Sequence, residues 1–136
     1  MPKASYTLAK SSDDLKHAMN RLAGRPLLAL DLETEGLDPH VHKTVLLAVG
    51  DDSEQLLVDC RRMSLEPLIP LLSGPVPKCT HNGAFDLRML RAMGIRAENV
   101  LDTMLNEQLL NNGRGRVGLS LASLSERYLW AFLDKS

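Results

Sequence analysis

Leu27-Leu28-Ala29-Leu30-Asp31-Leu32-Glu33-Thr34-Glu35-Gly36-Leu37-Asp38 reads as an apolar strand that ends in two carboxylates and then a turn. Side chains in a strand alternate between faces, so Asp31 and Glu33 share one face while Leu30 and Leu32 share the other. Two anions held this close repel each other, and without a cation between them one should have a raised pKa. Hard divalent ions such as Mg2+ or Mn2+ are the usual partners of clustered carboxylates. An acidic pair at the solvent end of a strand, followed by a glycine turn, also has a plainer reading, and the pair alone does not choose between the two.

The nearly all-apolar run Leu27 to Glu33 predicts a central strand covered on both faces. Downstream, Thr44 to Val49 and Gln55 to Asp59 flank Gly50-Asp51-Asp52-Ser53 and read as a hairpin, so three antiparallel neighbours are expected. Upstream, Ser5 to Leu8 is a short strand. Ser11-Ser12-Asp13-Asp14 then opens a helix to about Leu22, with Leu15, Met19 and Leu22 facing inward and Gly24 as its stop.

Beyond the hairpin the pattern changes to alternation. Leu65 to Leu72 is a short helix, Lys78 to Thr80 a brief strand, and Asn82-Gly83 the start of a helix that Gly94 ends. Val100 to Asp102 is another short strand and Met104 to Leu110 a helix. Asn111 to Gly118 is a polar loop, and Leu119 to Trp130 is a last helix with Ser120 as N-cap. A meander followed by strand and helix in turn predicts an α/β fold, a mixed sheet flanked by helices.

Composition narrows the function. The 136 residues are 44% hydrophobic, enough for one domain with its own core, and residues 1–136 are read as that single domain. Sixteen Lys and Arg against seventeen Asp and Glu leave a net charge of −1, so no global basic field attracts a polyanion, and metal ions would have to supply the positive charge. Cys60 and Cys79 lack metal-ligand or disulfide spacing and read as small hydrophobes. With no secretory or membrane-spanning stretch, the expected location is cytoplasmic.

A second constellation lies in Lys78-Cys79-Thr80-His81-Asn82-Gly83-Ala84-Phe85-Asp86-Leu87-Arg88-Met89-Leu90. Phe85, Met89 and Met93 line one helix face with Leu90 beside them. Asp86, in the first turns, points to a different face from Phe85 and need not enter the core. By itself Asp86 suits the helix dipole, and His81 and Asn82 suit cap and turn positions.

Taken together, Asp31-Leu32-Glu33-Thr34 with Gly36-Leu37, then His81-Asn82-x-x-Phe85-Asp86, resemble the DEDD 3′→5′ exonucleases. Leu101-Asp102-Thr103-Met104-Leu105, Gln108-Leu109-Leu110, Leu121-x-x-Leu124-x-x-x-Tyr128-Leu129 and Leu133-Asp134-Lys135-Ser136 are similar to the exonuclease domain of bacterial and phage DNA polymerase I. The resemblance implies a ribonuclease-H-like fold, a five-stranded mixed sheet with helices on both sides. It implies that Asp31 and Glu33 ligate two divalent ions, Mg2+ or Mn2+, with Asp31 touching both and Asp86 holding the second, often through water. Two such ions about 4 Å apart activate a water and stabilise the leaving 3′ oxygen.

The same resemblance assigns Thr34, Leu37, His81, Asn82 and Phe85 to substrate binding, with Leu37 as an apolar wedge between the last bases. The implied substrate is the 3′ end of single-stranded DNA, with RNA trimming of the ribonuclease D type as the alternative, and a polymerase domain is an expected neighbour in a longer chain. Asp102 matches a position read as a structural cap for the following helix. His17, His40 and His42 read as solvated. Arg114 and Arg116 either meet phosphate or belong to a merely soluble loop.

One part of the family pattern is missing. Its third motif, Tyr-x-x-x-Asp or His-x-x-x-Asp, is expected after Leu133-Asp134-Lys135-Ser136, and the residue four positions after Tyr128 is Phe132. Three acids in place of four weaken metal binding and catalysis, because the ligands fix the geometry together. The favoured expectation is a C-terminally truncated fragment of a longer exonuclease or polymerase. The alternative is an inactive nucleic-acid-binding or structural module, or one that a partner completes. Without the missing helix, apolar surface on the sheet is expected to stay uncovered and to invite a homodimer.

Overall fold

The computed structural model describes residues 4–112 and 118–134. Six strands, β1 (Ser5–Leu8), β2 (Leu28–Thr34), β3 (Thr44–Gly50), β4 (Glu54–Asp59), β5 (Lys78–Thr80) and β6 (Val100–Asp102), form one mixed sheet in the order β1-β4-β3-β2-β5-β6. The helices are α1 (Ser12–Leu22), α2 (Ile69–Leu72, preceded by a 3₁₀ turn at Glu66–Leu68), α3 (Gly83–Ala92), α4 (Thr103–Asn111) and α5 (Leu121–Leu129). The meander β2-β3-β4 is antiparallel, while β5 and β6 add in parallel on one side and β1 adds in parallel on the other. The sheet therefore has one strand more than the five expected, with the short β1 at its edge.

Register explains which side chains make the core. Leu30 pairs with Val49 and Leu32 with Leu47, and those two pair in turn with Leu56 and Val58, so all six lie on one face. All six are buried, together with Leu15, Ala18 and Leu22 of α1 and Met89 and Leu90 of α3. Each fully buried leucine contributes about 2 kcal/mol. On the other face Ala29, Asp31 and Glu33 are exposed, so the expectation that β2 is covered on both faces is not met among the described residues. Ala29 and Ala48 contribute little more than a methyl to that face, which leaves a trough.

The helix starts follow their capping residues. Ser11 accepts a hydrogen bond from the Asp14 amide, and Ser120 accepts one from the Ser123 amide, as expected. Along α4, α5 and the segment after them, Leu109, Leu110, Leu129, Trp130 and Phe132 are exposed, and these five do not lie on the sheet, where uncovered apolar surface was expected. Among the described residues no helix is long and apolar enough to cross a membrane.

One core feature was invisible in sequence. Lys78, at the start of β5, is 0% exposed, and its Nζ donates to the carbonyls of Leu71, Gly74 and Val76 at 3.0, 3.1 and 2.7 Å. Burial lowers its pKa, partly offset by Glu98. Three ammonium protons meet three carbonyls, so every donor is satisfied and the end of α2 is tied to the sheet. Lys78→Met removes the donors and leaves those carbonyls without them. Urea unfolding is expected to show a loss of about 3 kcal/mol, with an unchanged m value.

Candidate active site

The turn after β2 is built to hold its shape. A bulge lies between Glu33 and Thr34, and the Thr34 hydroxyl donates to the Gly36 carbonyl at 2.7 Å. The Glu35 amide donates to the Lys43 carbonyl at 3.0 Å, and the Lys43 amide returns to Glu35 Oε2 at 3.1 Å. A Cβ on Gly36 would come within 2.7 Å of the His42 ring, so only glycine leaves room for it. His42 is half-buried and its Nδ1 accepts from the Asp38 amide, so it supports the loop, contrary to the solvated role expected of it. In this loop Leu37 is 77% exposed.

Asp86 corrects the sequence reading of α3. It is 3% exposed and more buried than its neighbour Phe85, although the helical pattern set Phe85 on the face of Met89 and did not require Asp86 in the core. β5 pairs with β2 only through Leu28–Lys78 and Ala29–Cys79. Past that point Asp86 comes near β2, and the Leu32 backbone amide there favours its charged form. Burial, and after it the charge of Asp31, push the Asp86 carboxyl up to about 6. The charge of Asp31 thus acts on Asp86 across the gap between β2 and α3.

The remaining motif residues cluster where β5 and β6 end. His81 Nδ1 lies 2.8 Å from the Thr103 hydroxyl, which itself donates to the Thr80 carbonyl at 3.2 Å. Asn82 is exposed, with left-handed backbone angles (φ 61, ψ 48). A hollow of about 350 Å3 beside Asp31 is lined by Ala29, Ala48, Thr80, His81, Thr103 and Leu121. A larger one of about 420 Å3, among His42, Cys60 and Met93, contains neither Asp31 nor Asp86. Cys60 itself is no nucleophile, since burial and then Asp59 raise its thiol to about 11.

Sequence reasoning missed Glu107, which is 3% exposed on α4. It accepts from Tyr128 Oη at 2.7 Å and Asn111 Nδ2 at 2.7 Å, and pairs with Arg127. The Tyr128 hydroxyl first, with Asn111 and Arg127, holds its carboxyl below the usual range. Only the four-residue spacing to Asn111 was readable, because Arg127 and Tyr128 lie some twenty residues away. Arg114 and Arg116 lie outside the described residues.

Whether these groups suit a divalent cation is a question of donor chemistry. Asp31, Glu33 and Asp86 offer only hard oxygens, and the repulsion that raises Asp86 is what a cation would relieve. Among the described residues no three His, Cys, Asp or Glu side chains gather closely enough to hold an ion. The donor type fits, and the cage is incomplete.

A family model described as 3′-5′ exonuclease matches residues 6–136. The chain belongs to the 3′-5′ exonuclease family. It is 33% identical over 134 residues to DNA polymerase I of Aquifex aeolicus, a match that covers 96% of this chain and 21% of that protein. Among solved structures, Escherichia coli RNase D, described as an exoribonuclease involved in structured RNA processing, superimposes with a TM-score of 0.83 and 26% identity, over 97% of this chain and 35% of that one. Brucella melitensis NrnC, solved with bound Mg2+, shares the fold at a TM-score of 0.72 and 20% identity, over 96% of this chain and 63% of that one. The chain thus spans about a fifth of the polymerase and about a third of the ribonuclease. The neighbours confirm the ribonuclease-H-like α/β fold, and none of these likenesses supports a homodimer.

The raised Asp86 carboxyl makes stability depend on pH. Its folded value of about 6 exceeds the ordinary 3.8, so between the two the folded exonuclease binds more protons than the unfolded chain. The stabilising contribution is full below about 3.8 and is lost as pH rises through 6. In EDTA, unfolding free energy is expected to fall by about 2 kcal/mol from this group between pH 4 and 8. Asp86→Asn should flatten that part of the profile and be the more stable protein at pH 8.

Proposed function

We propose that residues 1–136 belong to a single exonuclease-like domain that supplies three of the four carboxylates of a metal-dependent 3′→5′ exonuclease site. The supporting observation is Asp86, buried at the start of α3 and held against the charge of Asp31. In this reading Asp31 and Glu33 project from the open face of β2 toward the ions, and Asp86 holds one of them from the α3 side. Two divalent ions, Mg2+ or Mn2+, when bound supply a water of lowered pKa and neutralise charge on the phosphodiester. The bonded loop Thr34–Lys43 presents the exposed Leu37 to the last bases, and Thr34 fixes the backbone that meets the terminal nucleotide. His81, Asn82 and Phe85 complete the substrate side, with His81 oriented by Thr103. The domain is expected to act in the cytoplasm, within a longer polymerase or nuclease.

The partner is the 3′ end of a single strand, whose unpaired bases splay and stack on apolar side chains. Identity to a DNA polymerase favours DNA. The fit to RNase D supports RNA trimming as the second reading, and an inactive nucleic-acid-binding module is the third.

With Mn2+ and 3′-labelled strands of DNA and RNA, the chain is expected to release mononucleotides from DNA faster than from RNA. Asp31→Ala should lower that rate by about 100-fold or more, since it removes a metal ligand. Release that persists unchanged in Asp31→Ala would dismiss this site, and faster release from RNA would establish the ribonuclease reading. No release at all, with the strand still bound, would favour the inactive module.

A further inference from the structure

We infer that Asp102 is a positioning residue: one carboxylate caps α3 and α4 together and so sets Asp86 against Asp31, a role that rests on the metal site proposed above. The register pairs Thr80 with Asp102, so β5 and β6 end side by side and a helix follows each. Four backbone amides converge on the Asp102 side chain. Asn82 and Gly83 of the α3 start donate at 3.1 and 2.7 Å, and Met104 and Leu105 of the α4 start at 2.9 and 3.3 Å. Burial pushes this carboxyl up, but the amides of Gly83, Leu105, Asn82 and Met104 outweigh it and hold it below the usual range.

The α3 end of this arrangement has no substitute. Asn82 makes no side-chain cap of its own, so the amides at the helix start depend on Asp102 from twenty residues away. A Cβ on Gly83 would lie 2.1 Å from the Thr80 hydroxyl and 3.5 Å from Asp102 Oδ2, so glycine is what lets the strand end and the helix start approach. Asp86 follows Gly83 by three residues, within the first turn that the clamp anchors. The same anchor ties α4, whose Thr103 orients His81, to α3. A shift of the α3 start therefore moves Asp86 and His81 relative to β2.

The test compares Asp102→Ala, Asp102→Asn and the core variant Leu22→Ala as a stability control. It uses amide hydrogen exchange by NMR and Mn2+ titration by calorimetry, with no substrate. In Asp102→Ala, protection at Asn82, Gly83, Met104 and Leu105 is expected to fall together by about 10-fold or more, and Mn2+ affinity to fall about 10-fold. Leu22→Ala should keep its Mn2+ affinity. Asp102→Asn, which retains one acceptor oxygen, should recover part of both losses and serves if Asp102→Ala fails to fold. Loss of protection at Met104 and Leu105 alone, or Mn2+ binding no weaker than in Leu22→Ala, overturns the assignment. If the unaltered chain binds no Mn2+, the metal reading fails separately, and the joint behaviour of the four amides still decides the clamp.

Discussion

The site depends on the two-residue period of β2 in a sheet that is buried on one side. Leu28, Leu30 and Leu32 are sunk into the core shared with α1 and α3, and this fixes the strand in rotation and register. Ala29, Asp31 and Glu33 must then face the other way. A slip of one residue would bury two carboxylates and expose three leucines, at a cost far above the stability of a domain this size. The packing that stabilises the sheet therefore also aims the acids.

The second constraint comes from where β5 stops. Its ladder to β2 ends at Ala29–Cys79, and the chain turns through Asn82 into α3. That departure leaves room for a helical side chain at the level of Leu32, and Asp86 occupies it. Burial and the nearby Asp31 disfavour a charged carboxylate there, and the backbone amides of Leu32 and Asp86 itself offset only part of that.

Much of this was legible in sequence, for identifiable reasons. The apolar run Leu27 to Glu33 located β2, the Gly50–Ser53 turn located the β3–β4 hairpin, and Ser11 and Ser120 marked helix starts through their side-chain oxygens. Asp31 and Glu33 were readable because strand period is local. Asp86 was identified by its motif, but its burial was not, since helical periodicity describes one helix and the gap it fills is made by two strands. The open face of β2 was misread because Ala29 counts as apolar in a pattern yet covers almost nothing. Lys78 escaped because it bonds carbonyls in α2 and the turn after it, and Glu107 because Arg127 and Tyr128 lie in α5, which no spacing rule connects.

The ionisable groups then separate by how the fold treats them. Glu107 receives donors from Asn111, Arg127 and Tyr128, Asp102 receives four amides, and both carboxyls are held below their usual range. These are structural charges, stabilised in the ionised form by groups that the fold itself provides. Asp86 is treated in the opposite way: burial and a like charge disfavour its ionised form. A fold that satisfies two carboxylates this thoroughly has no packing reason to leave a third strained toward protonation one turn from a helix start. In the metal site proposed above, a cation from outside the chain would turn the repulsion between Asp31 and Asp86 into shared attraction for it.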